Sequence, residues 1–343
     1  ASIIRPGVGY ILLEDFNASA AKEVKTALLE LKKQGMQKLI LDLRNNPGGL
    51  LTQAIDICNL FIPKGAKIVE TRGKVEEWNK SYQALNQAVD TETPIIVLIN
   101  NRSASAAEIV AGVLQDYDRA TIVGQRSFGK GLVQVTRDLP YRAKIKITTA
   151  KYYIPSGRCI QAIDYSENKD TVKQEFKTRK GRKVNAGGGI EPDVLVGRPQ
   201  ANSLIQQLLK ERIFFQYARL YKLKQAKIAP AANFHLNDTE YEAFVQWVKT
   251  SKFHYESPLE KQMRDVLKET SKDILYANLT KELDRLKPEW DSSVARELQG
   301  NKKVIEGLLE QEIVHHYYYK KGINEWSFEH DPTLLKSLEL IKN

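Results

Sequence analysis

The chain has 343 residues, of which 42% are hydrophobic and 27% charged, and a formal net charge of +10. This length exceeds one typical domain, and the composition excludes a disordered chain. No uninterrupted apolar run approaches the roughly 18 residues that a membrane-spanning helix requires. Two cysteines, Cys58 and Cys159, exclude a framework of several disulfides and a cysteine-based metal cluster.

The first 200 residues alternate strand-like and helix-like segments. The apolar patterning predicts strands at 8–16, 38–43, 67–70, 94–98 and 121–123. It predicts helices between Asn17 and Gly35, over 50–60, and after the small-residue turn that begins at Asn101. Apolar strands separated by amphipathic helices indicate an α/β fold with a largely parallel, buried sheet.

Two changes of pattern follow this region. From Leu132 the sequence predicts β-rich hairpins, and from about residue 201 it predicts helices to the end of the chain. The polar segment opened by Pro199 marks the expected boundary between a domain over 1–200 and a helical domain over 201–343. The chain opens with a strand-like segment, so no signal peptide is visible.

The net charge raises the question of an acidic partner. The densest basic run, 173–183 (KQEFKTRKGRK), shows neither helical nor strand periodicity and is followed by three glycines at 187–189. We expect a solvated loop there rather than a nucleic-acid interface.

The stretch GQRSFGKG, residues 124–131, contains the spacing G-x-x-x-x-G-K of a phosphate-binding loop. Such a loop needs Ser or Thr after its lysine and a helix behind it. Here Gly131 follows Lys130, and a strand-like segment follows Gly131. We therefore expect no nucleotide, and Lys130 is either a solvent-facing lysine at a hairpin entry or a residue with another function.

A second candidate is Ser105, which lies where a buried strand gives way to an apolar helix. With Glu108 it forms the S-x-x-E pattern of a capping box, which explains both residues without chemistry. The small residues around Ser105 would let another backbone approach closely, and the helix N-terminus favours a developing negative charge. Both features suit a nucleophile, for which Ser103 is the less well placed rival.

A serine nucleophile needs a base. The histidines all lie in the helical region, at His235, His254, His315, His316 and His330. A Ser-His-Asp triad would therefore need a long return from that region. Lysine is the alternative base, and Lys130 can serve only if its ammonium loses a proton, which burial in an apolar pocket with Phe128 would favour.

Acyl transfer also needs donors for the oxyanion of the tetrahedral intermediate. The turn 43–50 joins a predicted strand to a predicted helix and contains the sequence NPGG at 46–49. Gly48 and Gly49 leave their N–H groups uncovered and are candidate donors together with Ala106. The alternative is a tight turn that simply requires positive φ.

Taken together, these segments resemble the C-terminal processing peptidases, also called tail-specific proteases. The family patterns S-A-S-A-S-E-I, F-G-K-G and N-P-G-G correspond here to 103–109, 128–131 and 46–49, with Ala107 in place of the third serine. Two further patterns, Y-Y-x-P-S-G-R-x-I-Q and G-I-x-P-D, match 152–161 and 189–193. The resemblance extends over about residues 8–197 and includes no motif in 201–343.

The resemblance implies a crotonase/ClpP-like α/β core and a Ser-Lys dyad without a cofactor. It implies Ser105 as the nucleophile, Lys130 as the general base and Gln134 as the residue that assists the lysine. Such assistance needs a bend near Gly131, because positions 130 and 134 of a straight strand lie roughly 13 Å apart. The family's PDZ domain precedes the strand that begins here at Val8, so we expect it to be absent from this chain. The family also implies the periplasm or cell envelope.

Three further features have two interpretations each. Tyr152 and Tyr153 are candidates to line a substrate groove, although aromatic residues beside a proline more often pack in a core or turn. His315 and His316 point in different directions on a helix, so we expect no metal there. The C-terminal helices are candidates for a homo-oligomer or adaptor surface, or they form a self-contained domain.

We predict a serine endopeptidase that cleaves protein or peptide tails near their C-terminus through an acyl-enzyme, with neither nucleic acid nor nucleotide as partner. Two alternatives stay open. A crotonase-like acyl-CoA enzyme predicts a CoA site and no acyl-enzyme. A non-catalytic peptide-binding scaffold predicts binding of tails that survives the loss of Ser105 and Lys130.

Overall fold

The computed structural model describes residues 1–164, 169–170, 174–197, 202–290 and 294–342. It divides into two compact units, the first formed by Ala1–Gly197 with Pro332–Asn343 and the second by Arg198–Asp331. The last helix of the chain is grouped with the first unit, and the division into domains over 1–200 and 201–343 stays a prediction. The boundary predicted at Pro199 lies outside the described residues.

The strands occur in the first unit and are mostly short. They are β1 (Ser2–Arg5), β2 (Val8–Leu12), β3 (Lys38–Asp42), β4 (Lys67–Arg72), β5 (Lys80–Gln83), β6 (Ile95–Ile99), β7 (Ala120–Gly124), β8 (Leu132–Asp138), β9 (Lys144–Tyr153), β10 (Ile163–Asp164), β11 (Lys169–Asp170), β12 (Glu175–Lys177), β13 (Lys183–Asn185) and β14 (Val194–Leu195).

The helices alternate with these strands at first and then follow one another in the second unit. They are α1 (Ala20–Lys33), α2 (Leu51–Phe61), α3 (Ala106–Asp116), α4 (Ser203–Lys210), α5 (Ile213–Lys224), α6 (Asp238–Thr250), α7 (Pro258–Thr270), α8 (Ala277–Trp290), α9 (Val294–Gly300), α10 (Lys302–His330) and α11 (Pro332–Lys342). Short 3₁₀ turns lie at Glu76–Trp78, Pro140–Arg142, Ala231–Asn233 and Ile274–Tyr276.

The main sheet of the first unit has the strand order β1-β2-β3-β6-β7-β14 within the described residues. β1 is antiparallel to β2, and the other neighbouring pairs are parallel. The central strands β3 and β6 are buried along nearly their whole length, as strands covered by helices on both faces must be. The predicted α/β fold with a parallel sheet is confirmed.

Helix α1 shows why these segments cover the sheet. Its buried residues recur at four- and three-residue intervals, which places them on one face: Ala20, Val24, Leu28 and Leu31. The helix begins at Ala20 rather than directly after Asn17, whose side-chain oxygen accepts the Ser19 N–H at 2.8 Å. Gly35, with a φ of 85°, turns the chain into β3.

A second, antiparallel sheet has the order β5-β4-β9-β8. It contains the predicted hairpin together with β4 and β5, and β5 lies between the predicted strands 67–70 and 94–98, where the sequence pattern predicts no strand. β8 begins directly after Gly131, so a strand and not a helix follows the G-x-x-x-x-G-K spacing of residues 124–130. This confirms the structural argument against a phosphate-binding loop.

The basic run 173–183 differs from the prediction of a solvated loop. β12 and β13 pair as an antiparallel hairpin within it, while Lys173 lies outside the described residues. Arg182 forms ion pairs with Asp118 at 2.5 Å and Asp193 at 2.6 Å. Local carboxylates therefore neutralise part of the charge that the sequence places here, which periodicity alone does not reveal.

The second unit has a hydrophobic core of its own. Aromatic rings from α5 and α6 are part of this core, and Tyr217 meets Phe244 edge to face at 5.1 Å between ring centroids. The prediction of a mostly helical C-terminal region is confirmed. In the described part of the chain, each helix is too short or too polar to span a membrane.

Adjacent leucines on α1 provide a test of the sheet's helical cover. Leu28 is 0% exposed and Leu29 is 42% exposed. We expect Leu28→Ala to destabilise the first unit by about 2–5 kcal/mol, because it removes buried methyl groups and leaves a cavity. Leu29→Ala should cost about 0.5 kcal/mol or less. Hydrogen exchange of the β3 amides measures both, and equal losses for the two variants would contradict this packing.

Candidate active site

Three loops of the first unit meet at one edge of the parallel sheet. They follow β3, β6 and β7, and the carboxyl ends of neighbouring parallel strands lie side by side. The Ala104 N–H donates to Asn46 O at 2.9 Å, which joins the first two loops. The Phe128 N–H donates to Ser103 O at 3.0 Å, which joins the second loop to the third. This convergence brings the predicted segments 46–49, 103–109 and 128–131 together.

Ser105 lies immediately before α3 in a strained conformation. Its φ is 56° and its ψ is −114°, a region that costs a residue other than glycine about 1–3 kcal/mol. Ser105 is half-buried, whereas the rival Ser103 is 0% exposed and its Oγ donates to Leu43 O at 2.8 Å. The hydroxyl of Ser103 is therefore committed to the structure, and Ser105 is the accessible serine.

The carboxylate of Glu108 links this serine to the loop 125–131, which contains Lys130 and is called the lysine loop below. Its Oε2 accepts the Ser105 N–H and the Lys130 N–H, each at 2.8 Å. Its Oε1 accepts the Ser127 Oγ–H at 2.5 Å and the Gly129 N–H at 2.7 Å. The contact to Ser105 belongs to the predicted capping box. Because two residues donate to one oxygen, the backbone nitrogens of Ser105 and Lys130 lie within two hydrogen-bond lengths of each other.

Glu108 is 0% exposed, and every residue of α3 is buried. Burial raises the pKa of Glu108, whereas the hydrogen bonds from Ser127, Lys130 and Gly129 lower it. A carboxylate with four donors satisfies its oxygens without water. Burial of this charge is therefore tolerated because the loop after β7 and the helix end supply its partners.

The side chain of Lys130 differs from the prediction of an apolar pocket. Lys130 is exposed, and Phe128 is 61% exposed, so the prediction that Phe128 buries the lysine is wrong. The glycine between them packs tightly instead, since a Cβ on Gly129 would lie 2.4 Å from the Ala162 Cβ and 3.1 Å from the Gly189 nitrogen. The close packing therefore involves the backbone of the loop and not the lysine side chain.

Gln134 lies on β8 and is exposed. Its side-chain amide donates to Thr148 Oγ1 at 3.4 Å, and within the described residues no hydrogen bond joins Gln134 to Lys130. The Gly131 N–H donates to Gln161 Oε1 at 2.8 Å, and β8 has an irregular register at Val133/Gln134. The structure thus leaves Gln134 separate from the lysine.

The glycine turn lies directly against the serine. A Cβ on Gly48, whose φ is 96°, would meet the Ser105 Cβ at 2.8 Å and the Ala106 nitrogen at 2.9 Å. The Gly48 N–H, however, donates to Asn46 Oδ1 at 2.8 Å. Only glycine permits this approach, and its own N–H is already used.

The next peptide group offers a free donor. The Gly48 carbonyl accepts the Phe16 N–H at 3.0 Å, and a trans peptide directs the following N–H to the opposite side. The Gly49 N–H therefore points away from Phe16. Among the described residues, no acceptor pairs with the N–H of Gly49 or of Ala106. Both N–H groups are therefore unused within the described structure, and a Cβ on Gly48 would crowd the nitrogen of Ala106.

Two of the remaining candidates, Tyr152 and Tyr153, lie on β9, where the Tyr152 N–H donates to Gly131 O at 2.8 Å. Tyr152 is 8% exposed and belongs to the hydrophobic core, where burial raises its pKa. Tyr153 is half-buried, with the Arg72 guanidinium 4.6 Å from its ring centroid. The rings of His315 and His316 are nearly perpendicular, at 81°.

Sequence reasoning missed two features of the site. It assigned Glu108 to helix capping and did not anticipate its contacts with Gly129 and Lys130. It also did not anticipate that the Asn46 side chain occupies the Gly48 N–H. One signal was present for Glu108, because a carboxylate followed by a run of apolar residues at the start of a helix must find partners when it is buried.

Comparison with known proteins identifies the family. The model of "Peptidase family S41" matches residues 7–196, and that of "Probable PDZ-protease, C-terminal helical domain" matches residues 204–341. A carboxyl-terminal-processing protease of Synechocystis sp. is 50% identical over 161 residues, which cover 46% of this chain and 37% of that protein. A probable CtpA-like serine protease of Staphylococcus epidermidis is 38% identical over 199 residues, covering 57% of this chain and 35% of that protein.

Among solved structures, the photosystem II D1 C-terminal processing protease aligns with a TM-score of 0.45 and 31% identity, over 57% of this chain and 43% of that one. The chain spans little more than a third of the length of the curated relatives it matches. The family model covers more than half of the chain and includes the three converging loops. The resemblance to C-terminal processing peptidases is thereby confirmed, and the chain belongs to peptidase family S41.

Proposed function

We propose that this chain is the catalytic part of a serine endopeptidase that cleaves protein substrates near their C-terminus through a Ser105–Lys130 dyad. The observation that carries the proposal is the Glu108 Oε2 atom, which accepts the N–H groups of both residues. Relatives named as carboxyl-terminal-processing and CtpA-like serine proteases support the substrate class. The proposed location in the periplasm or cell envelope rests on the family resemblance alone.

The proposed reaction has two halves. The neutral amine of Lys130 takes the proton of the Ser105 hydroxyl, and Oγ attacks the scissile carbonyl carbon. The lysine ammonium then gives that proton to the leaving amine, and an ester remains on Ser105. Water hydrolyses the ester in the second half, with Lys130 again accepting and returning a proton.

The tetrahedral oxyanion needs donors beside Ser105. We assign the Gly49 and Ala106 N–H groups, which have no acceptor among the described residues, and Gly48 as the residue that admits the substrate carbonyl. The N-terminal end of α3 adds a favourable positive potential at the same place. This differs from a role for the Gly48 N–H itself, which already donates to Asn46.

A lysine base must be neutral, and removing an amine from water favours its neutral form. We propose that the bound polypeptide itself shields Lys130 from water. Phe128, two positions before Lys130, is 61% exposed. A substrate bound against its ring would also cover the lysine side chain. Desolvation disfavours the ammonium form and so activates the base only when substrate is present.

The second sheet offers a place for an extended substrate. β8 begins two residues after Lys130 and pairs with β9 on one side, while its other edge has no partner strand among the described residues. A polypeptide added to this edge would run past the lysine and gain main-chain hydrogen bonds. We assign Gln134, on this strand, as a positioning residue for Lys130, since its 3.4 Å contact with Thr148 is long and readily exchanged. Of the two tyrosines, the half-buried Tyr153 is the proposed substrate contact.

A non-catalytic peptide-binding scaffold is the second candidate. The exposure of Lys130 favours it, because a lysine base needs to be withdrawn from water and this side chain is not. Such a scaffold would bind tails without forming any covalent adduct. Covalent labelling of the serine therefore separates the two functions.

The nucleophile can be tested with a fluorophosphonate probe and intact-mass measurement. We expect one adduct, which fragmentation locates on Ser105 and not on the buried Ser103. Ser105→Ala should lose the adduct and the cleavage of an unstructured polypeptide such as a β-casein-like substrate. Equal cleavage by the wild type and Ser105→Ala would falsify the proposal.

The base can be tested without risk to the fold, because the Lys130 side chain is exposed. We expect Lys130→Ala to lower the labelling and cleavage rates by at least about 100-fold while the unfolding midpoint stays within error. Lys146→Ala, an exposed lysine on β9, is the matched control and should keep full rates. If the two variants retain similar rates, Lys130 is not the base.

The carboxylate link can be tested with the isosteric Glu108→Gln. In the wild type each carboxylate oxygen of Glu108 accepts two hydrogen bonds. In the variant an NH₂ group replaces one of these oxygens, so two buried donors lose their acceptor. Each unsatisfied buried group costs about 1–3 kcal/mol. We expect a lower unfolding midpoint and, in the folded fraction, slower labelling of Ser105. Glu30→Gln, on the exposed face of α1, should change neither quantity. Unchanged labelling in Glu108→Gln would show that the link does not position the dyad.

A further inference from the structure

Three side chains of types that commonly bind metal ions meet in the second unit. The ligand atoms of His235, Glu310 and His330 all lie within 4.8 Å of one another. His330 Nε2 is 3.3 Å from His235 Nδ1, and His235 Nδ1 is 3.9 Å from Glu310 Oε1. The expectation of no metal was argued only from the neighbouring His315 and His316, which are not part of this cluster.

The fold of α10 brings two of these residues together. Glu310 and His330 are twenty positions apart, which would separate them by about 30 Å on a straight helix. At Tyr319 the backbone leaves the helical region, with φ 55° and ψ −154°, and the chain folds back. Gly322 lets the two arms pack closely, since a Cβ there would lie 3.2 Å from Val314 Cγ1. His235 reaches the same place from the segment before α6.

The surroundings orient the ligand atoms. His330 Nδ1 lies 2.7 Å from the Trp326 carbonyl, to which only an N–H can donate, so its Nε2 lone pair faces the cluster. The Trp326 indole stacks on the His330 ring at 4.3 Å and 2°. Glu310 is 5% exposed, and its Oε1 accepts the Leu236 N–H at 2.8 Å. A carbonyl behind the histidine and an amide behind the carboxylate are the supports that protein metal ligands commonly have.

The spacing of the two imidazoles fits one small divalent ion, and the Glu310 oxygen lies 3.9 Å from the nearer of them. Bonds of about 2.0 Å in a tetrahedron separate ligand atoms by about 3.3 Å, which is the observed distance between the two imidazole nitrogens. The side chain of His235 is 62% exposed, which leaves an entry path and a fourth position for water. We propose that His235, Glu310 and His330 form a Zn²⁺-class metal site that fastens the two arms of α10 to the segment before α6. The competing occupant is a proton shared between the two histidines.

Zinc titration of the untagged, chelator-treated chain tests this site. We expect one tight equivalent of Zn²⁺, a rise of the thermal midpoint with Zn²⁺, and the visible absorption of tetrahedral Co²⁺ when cobalt replaces zinc. His235→Ala should weaken Zn²⁺ binding by at least about tenfold and abolish the Co²⁺ bands. His254→Ala removes an exposed histidine outside the cluster and should change none of these.

Glu310→Gln distinguishes metal from proton, because it keeps the size of the side chain and removes the anionic ligand. Weaker Zn²⁺ binding in both Glu310→Gln and His235→Ala supports the site. Zinc binding that is absent in the wild type, or equal in His235→Ala and His254→Ala, overturns it. Each readout is independent of peptidase activity, so failure here leaves the proposed function untouched.

Discussion

The Glu108 carboxylate is buried at the start of α3, where a charge without partners would cost several kcal/mol. It is tolerated because donors from two segments converge on it. One is the N–H at the helix end, and the others are the Ser127 hydroxyl and two backbone N–H groups of the lysine loop. The same contacts fix the positions of Ser105 and Lys130. The geometry of the candidate dyad is therefore a consequence of satisfying one buried anion.

Glycines supply the other half of this arrangement. Gly48 touches Ser105, and Gly189 touches Ser127, with a hypothetical Cβ on Gly189 only 2.6 Å from the Ser127 Oγ. The Ser127 hydroxyl also accepts the Ile190 N–H at 2.6 Å. The segment 189–193 thus packs against Ser127 in the lysine loop, and Gly48 packs against Ser105. The hydrogen bonds to the Glu108 carboxylate require these segments to approach closely, and they can do so because glycine has no side chain.

Sequence patterns predicted the elements that carry the site, because strands β2, β3, β6 and β7 have continuous apolar runs and α1 has a clear buried face. Motif order predicted which loops meet. The patterns could not predict which N–H groups are free, since the Gly48 N–H is taken by Asn46 two residues away in a local turn. They also misjudged the exposure of Lys130, because burial depends on packing between distant segments and Phe128 turns outward.

The reversal of α10 illustrates the same limit in the second unit. The sequence pattern predicts helix throughout this region. The residue at which the chain turns is Tyr319 and not a glycine, so the residue type gives no sign of the break. Tertiary contacts oppose the strain: the Tyr318 hydroxyl donates to the carbonyls of Ile228 and Ala229 at 3.0 Å, and the Tyr317 hydroxyl donates to Gln225 O at 2.5 Å. The arm before the turn is thereby held by the segment 225–229. A strained residue kept in place by such bonds is what sets Glu310 and His330 side by side, and the chemistry available to this unit follows from that turn.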